Sequence, residues 1–136
     1  MLSIFKNQKK NSNNIFIKIA SLLIHTAKID EVYTDKEREI IKKTIRNLGI
    51  QENEIEKILV EAENIESQSN QIIEFTKDIK KLNEDDKIKI VESLWKIIYS
   101  DNKSDIYESN LMRRLTGLLY LNSKVVGDIK EKIKKI

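Results

Sequence analysis

The sequence has no cysteine and no proline among its 136 residues, and it has only three glycines. Without thiols the chain cannot form disulfides, zinc ribbons or a cysteine nucleophile. A mostly-β protein is disfavoured, because frequent tight turns need Gly and Pro. No apolar window of about 18 residues is free of charge, so no transmembrane span is predicted. The sequence therefore predicts a helix-rich domain, long enough to bury a core.

The charge balance is mild. Lys and Arg number 25 against 22 Asp and Glu, which leaves a net charge of +3. This falls short of the strongly basic, clustered pattern that is typical of nucleic-acid-binding domains, so no nucleic-acid partner is expected. The segment from Met1 to Lys6 lacks the basic-then-apolar order of a signal peptide. We therefore expect a cytoplasmic location.

Helical spacing of apolar residues predicts an all-α fold of six or seven short helices. The polar run at residues 7–14 (NQKKNSNN) predicts a flexible N-terminal arm over residues 1–14, followed by a single helical domain over residues 15–136. The first helix is expected from Ile15 to about Ile29. A polar loop is expected from Glu66 to Asn70.

Helix starts and stops are marked by local chemistry. Thr34 and Glu37 have the spacing of a capping box at the start of the second helix. Gly49 is a suitable residue to end that helix in a left-handed conformation. Other residues that can cap a helix mark further predicted helix starts. They are Asn83, Asp105 and either Asn122 or Ser123.

An internal repeat relates the two halves of the chain. Asp30 is followed seven residues later by Glu37, and Asp101 is followed by Glu108 at the same separation. In each copy an apolar helix ends in the Asp, and a second apolar helix begins before the Glu. The repeat predicts two helix-link-helix halves related by a pseudo-twofold axis.

If the two halves pack together, these four carboxylates can converge. Clustered carboxylates repel one another unless a cation holds them, and an oxygen-only set favours Ca²⁺, Mg²⁺ or Mn²⁺. The links are not EF-hands, because Lys103, Ile106 and Met112 stand where that loop needs other residues. The alternative is that the acids only cap helices and pair with Arg113 or with lysines, and that no metal is bound.

Several segments around the two links also carry a family pattern. In the second half they are Leu94-Trp95, Tyr99, Asp101, Glu108 and the run Leu111-Met112-Arg113-Arg114. In the first half they are Leu22-Leu23, Ala27, Asp30, Thr34, Glu37, Arg38 and Gly49. The pair Phe75-Thr76 also belongs to the pattern. Together, over roughly Ile15 to Asp128, they resemble the TerB-like family, the tellurite-resistance protein B domain. The glycine that normally follows each Asp in that family is replaced here by Glu31 and Asn102.

The resemblance implies an all-helical, non-enzymatic domain with pseudo-twofold halves. It also implies a role in stress response, a protein partner associated with membranes, and a location that includes the inner membrane face. Acidic residues grouped on one face would bind the metal, and no organic cofactor is implied. By position, the implied ligands are Asp30, Glu37, Asp101 and Glu108, with Glu31, Asp35 and Asp105 as weaker candidates.

Three further interpretations concern single residues. His25, the only histidine, is expected to be partly buried. Trp95 is expected in the core. The lysines expected to form a solvated face are Lys80, Lys81, Lys87 and Lys89.

Overall fold

The computed structural model describes residues 2–29, 32–68, 72–100 and 106–135, with the backbone alone for residues 2–13 and 106–108. Within these ranges every regular element is a helix, so the predicted all-α class is confirmed. The helices are α1 Leu2–Ala27, α2 Asp35–Asn47, α3 Glu52–Gln68, α4 Ile72–Ile79, α5 Glu84–Tyr99, α6 Ile106–Leu118 and α7 Ser123–Lys134.

The N-terminal segment differs from its prediction. The structure has helix α1 beginning at Leu2, where a flexible arm was expected over residues 1–14 and a first helix only from Ile15. The polar residues of this segment include no Gly or Pro, so nothing in it stops a helix. Once α1 has formed, extending it costs much less than starting a new helix.

The helix ends follow the predicted caps. Thr34 caps α2, and the side chains of Asn83 and Asn122 accept hydrogen bonds from backbone N–H groups at the starts of α5 and α7. Gly49 follows α2 with a φ of +112°, a conformation that side chains disfavour. The predicted cap at Asp105 lies outside the described residues.

The core lies around α1 and α5. Helix α1 packs against α2, α3, α4 and α5, whereas α5 also packs against α2 and α7. Ile19, Leu22 and Leu23 of α1 and Ile90 and Leu94 of α5 are almost fully buried. Each of the seven described helices contributes to this single buried cluster. In each half the long helix packs against the helix two places later, α1 against α3 and α5 against α7. This pairing agrees with two related halves, although the pseudo-twofold axis itself stays a prediction.

Burial corrects two expectations about charged residues. Lys87 was placed on a solvated face but is only 6% exposed, because it lies on the inner side of α5. Glu66 was placed in a loop but belongs to α3, and it is buried as well. The expectations for Trp95 and His25 are confirmed, since Trp95 is buried and the His25 side chain is partly buried. Over the described ranges, no helix is long and apolar enough to cross a membrane.

Candidate functional site

Glu37 is the best-defined of the predicted metal ligands. It lies in the first turn of α2 and is only 5% exposed. Its backbone N–H donates to the Thr34 hydroxyl at 3.1 Å. Its carboxylate Oε1 accepts from the Thr34 backbone N–H at 2.8 Å and from the Thr34 hydroxyl at 3.0 Å. The predicted capping box is therefore confirmed, and it holds the Glu37 carboxylate in a fixed orientation at the beginning of α2.

The structure describes few of the other predicted ligands. Glu108 lies in the first turn of α6, where the backbone alone is described. Asp35 is exposed at the first position of α2. The remaining candidates, Asp30, Glu31, Asp101 and Asp105, lie outside the described residues. Among the side chains that are described, no three His, Asp or Glu residues gather closely enough to hold a metal ion.

The beginning of α2, which follows the first link, nevertheless lies near the end of α5, which precedes the second link. The Lys36 ammonium group, in the first turn of α2, donates to the backbone carbonyl of Ser100 at 3.0 Å. Ser100 is the cap residue at the end of α5, and Asp101 is the next residue along the chain. Further along the same two helices, the Thr44 hydroxyl is hydrogen-bonded to the Ser93 hydroxyl. The residue numbers rise along α2 as they fall along α5, so the helices run antiparallel. The beginning of α2 therefore lies beside the end of α5.

A network of ionic and hydrogen bonds fastens the first link to α3. The Tyr33 hydroxyl donates to Glu63 Oε2 at 2.8 Å, and Arg38 Nε donates to the same oxygen at 3.0 Å. The other arm of the Arg38 guanidinium donates to Glu56 at 2.6 Å. Lys42 completes the network at 3.0 Å from Glu56. Tyr33, directly before the cap of α2, is thus held by a glutamate of a different helix.

This network shifts the pKa values of Tyr33, Arg38 and Glu56. Burial, and then the hydrogen bond to Glu63, raise the pKa of Tyr33. Hydrogen bonds to Glu56 and Glu63 raise the pKa of Arg38. The hydrogen bond from Arg38, followed by the one from Lys42, lowers the pKa of Glu56. The charged forms of Arg38 and Glu56 are therefore favoured, whereas Tyr33 is held neutral.

A second acidic group lies at the far end of α3. Glu66 is 7% exposed, and its Oε1 lies 3.5 Å from His25 Nδ1 on α1. Its Oε2 lies 2.8 Å from the Lys28 ammonium group, without the angle of a good hydrogen bond. The His25 ring also contacts Phe75, with 6.2 Å between ring centroids. Burying a carboxylate is costly unless a cation compensates it, and Lys28 provides that compensation.

Sequence reasoning missed both acidic clusters. Tyr33 and Glu63 are 30 residues apart, and His25 and Glu66 are 41 residues apart, so no short motif connects them. The pair that a local signal could have found is Arg46 with Glu52, which lie on either side of the Gly49 turn with contacts of 2.7 and 2.8 Å.

Comparison with protein families gives one match. The family model described as tellurite resistance protein TerB matches residues 16–131. The match extends from the middle of α1 into α7 and so covers most of the chain. Neither the curated proteins nor the solved structures that were searched gave a match.

Proposed function

Since the chain belongs to the TerB family, we propose that it is a non-enzymatic stress-response domain that binds a divalent cation through carboxylates of its two links. The ligands would be Asp30 and Glu37 from the first half and Asp101 and Glu108 from the second. The same domain would dock a partner protein.

The contact between Lys36 and Ser100 carries this proposal. It joins the beginning of α2 to the end of α5 across 3.0 Å. Glu37 directly follows Lys36 in the sequence, and Asp101 directly follows Ser100. One proposed ligand from each half is therefore adjacent in the sequence to a residue of this contact, and this supports a shared site.

The donor chemistry fits hard cations. All four proposed ligands are carboxylates, which suit Ca²⁺, Mg²⁺ and Mn²⁺ better than softer metals. The capping box fixes Glu37 before any cation arrives, and a ligand that is already ordered loses less conformational entropy on binding. When bound, the cation would neutralise the mutual repulsion of the four carboxylates and join the two links.

Partner docking is supported by exposed apolar side chains on α3 and α4. Ile65 is 41% exposed and lines a cleft of about 190 Å³ together with Phe75. Ile73 is 53% exposed. An apolar cleft with an exposed aliphatic side chain at its lining is a surface on which a partner could dock.

Calorimetric titration of the EDTA-treated protein with Ca²⁺, Mg²⁺ and Mn²⁺ tests the cation site. We expect a dissociation constant below about 1 mM for at least one of them, in the range of carboxylate sites in proteins. Asp30→Asn and Asp101→Asn should each weaken binding at least about tenfold, because each removes one charged ligand. Asp128→Asn, on an exposed position of α7, is the matched control and should leave binding unchanged. Wild-type affinity in both link variants would overturn the proposal, and so would the absence of binding at 1 mM.

One observation favours a second function, that of a structural module without metal. The Thr34–Glu37 capping box already gives Glu37 a complete structural role. Glu37→Gln separates the two functions, because glutamine also serves in a capping box but carries no charge. If Glu37 is a ligand, this variant keeps its metal-free stability and loses cation affinity. If Glu37 only caps α2, Glu37→Gln matches the wild type in both respects, and Glu37→Ala is less stable by about 1 kcal/mol.

A further inference from the structure

A cleft of about 670 Å³ lies between α2 and α5, and none of the proposed cation ligands is among the described residues that line it. We call it the α2–α5 cleft. Its lining residues are Ile40, Lys43, Thr44 and Asn47 from α2 and Lys89, Glu92, Ser93 and Lys96 from α5. Pockets that hold small organic ligands have volumes of about 300–1,000 Å³, so the cleft is of suitable size.

Three ammonium groups line the cleft. Lys89 and Lys96 are seven residues apart on α5, which corresponds to two helical turns and about 10 Å along the axis. Lys43 faces them from α2. Because the three charges extend over about 10 Å, they match an elongated ligand with several negative groups better than a single small ion.

Among the described residues, these three lysines have no acidic partner, in contrast to three basic residues of α2 that face α3. Arg38, Lys42 and Arg46 all form ion pairs with glutamates of α3. In the part of the chain that is described, no ion pair includes Lys43, Lys89 or Lys96. The single acid among the lining residues is Glu92, which also lies 3.9 Å from Lys132 of α7, so the three lysines outnumber it. The cleft therefore has an uncompensated positive charge, and such a cleft concentrates anions.

The floor of the cleft is polar and well defined. Thr44 and Ser93 are each 6% exposed, and their hydroxyl groups are hydrogen-bonded to one another. The Thr44 hydroxyl also contacts the Ile40 carbonyl at 2.8 Å, and the Ser93 hydroxyl contacts the Lys89 carbonyl at 3.0 Å. Their short side chains leave room above them, while Asn47 contributes an amide donor to the wall.

We propose that the α2–α5 cleft binds a small soluble molecule with two or more phosphate groups. Lys43, Lys89 and Lys96 contact the phosphate oxygens, since lysine binds phosphate as a point charge. The amide of Asn47 donates an additional hydrogen bond. The site is independent of the cation site and needs no bound metal.

The test uses tripolyphosphate as the probe, with the full chain and with EDTA present so that metal binding plays no part. Titration followed by NMR should show saturable changes in the backbone amides of Thr44, Asn47 and Ser93. Lys89→Gln combined with Lys96→Gln should weaken binding at least about tenfold, because two of the three charged contacts are lost. Orthophosphate, which cannot reach all three lysines, should bind more weakly than tripolyphosphate.

A matched variant controls for net charge. Lys57→Gln combined with Lys77→Gln removes the same two charges from exposed positions on α3 and α4. We expect this variant to bind tripolyphosphate like the wild type. Equal weakening in both double variants would overturn the proposal, because it would show general charge attraction. Binding to anionic phosphatidylserine vesicles without binding to tripolyphosphate would also overturn it, since the ligand source would then be a membrane surface.

Discussion

The indole Nε1 of Trp95 donates a hydrogen bond to the backbone carbonyl of Val126 at 3.2 Å. This bond joins α5 to α7, and the indole ring makes two further contacts. Tyr99 stacks on Trp95 with 5.9 Å between ring centroids, and the Lys130 ammonium group lies 5.4 Å from the ring centroid. Trp95 therefore attaches the last helix to α5 through a hydrogen bond and a cation–π contact, while Tyr99 packs on the same ring from within α5.

Trp95→Phe should lower the free energy of unfolding by about 2 kcal/mol. The variant loses the indole donor and leaves space in the core, and each effect is destabilising. Urea unfolding followed by circular dichroism measures the change, since the only tryptophan fluorophore is lost. Unchanged stability would show that the attachment of α7 does not depend on Trp95.

The glycines offer two substitutions of the same kind with opposite expected effects. Gly49→Ala should destabilise the protein by about 1–2 kcal/mol, because the φ of +112° is unfavourable for any side chain. Gly127→Ala should stabilise it by up to about 1 kcal/mol, because Gly127 lies inside α7 and alanine favours helix. An added Cβ meets no atom within 4 Å at either position, so the comparison isolates the backbone. Thermal unfolding measures both, and a shift of the same sign in both would contradict this explanation.

Local features of the sequence explain why much of the fold could be predicted. Thr34, Asn83 and Asn122 cap helices through atoms only two or three residues away, so their roles are visible in the sequence. The polar N-terminal segment differs from its prediction for a related reason. Polarity indicates exposure, but only a helix-breaking residue would have ended α1.

The candidate site depends more strongly on contacts between distant parts of the chain. Glu37 could be placed from its capping spacing. The burial of Lys87 and Glu66 could not be predicted, since it depends on which helix packs against each side chain. The α2–α5 cleft likewise requires the antiparallel packing of two helices that lie about 50 residues apart, as Thr44 and Ser93 do.

Acid should destabilise the protein through Glu56. The folded-state pKa of Glu56 lies below its ordinary value of about 4.3, because Arg38 and Lys42 donate to the carboxylate. The contribution of Glu56 to stability is therefore present above the ordinary pKa and is lost as pH falls through the folded-state pKa. Arg38→Met should make the loss of stability between pH 5 and pH 3 smaller than in the wild type.

Arg113→Met, at an exposed position on α6, is the control and should leave that loss unchanged. Urea midpoints at the two pH values measure the effect, and equal acid sensitivity in all three proteins would contradict the assignment to Arg38.

Alkaline pH should destabilise the protein through Tyr33. Burial and the hydrogen bond to Glu63 raise its folded-state pKa above the ordinary value of about 10. The stabilising contribution is therefore fully present below pH 10. It decreases at higher pH, because the unfolded state can lose a proton that the folded state retains. Tyr33→Phe should lower the free energy of unfolding by about 1 kcal/mol at pH 7 through the lost hydrogen bond, and should make stability less dependent on pH above 10.

Tyr120→Phe, at a residue that is 71% exposed, should change neither quantity. Absorbance titration near 295 nm provides the decisive reading. If all four tyrosines of the folded protein ionise together near pH 10, Tyr33 is not held neutral by its contact with Glu63.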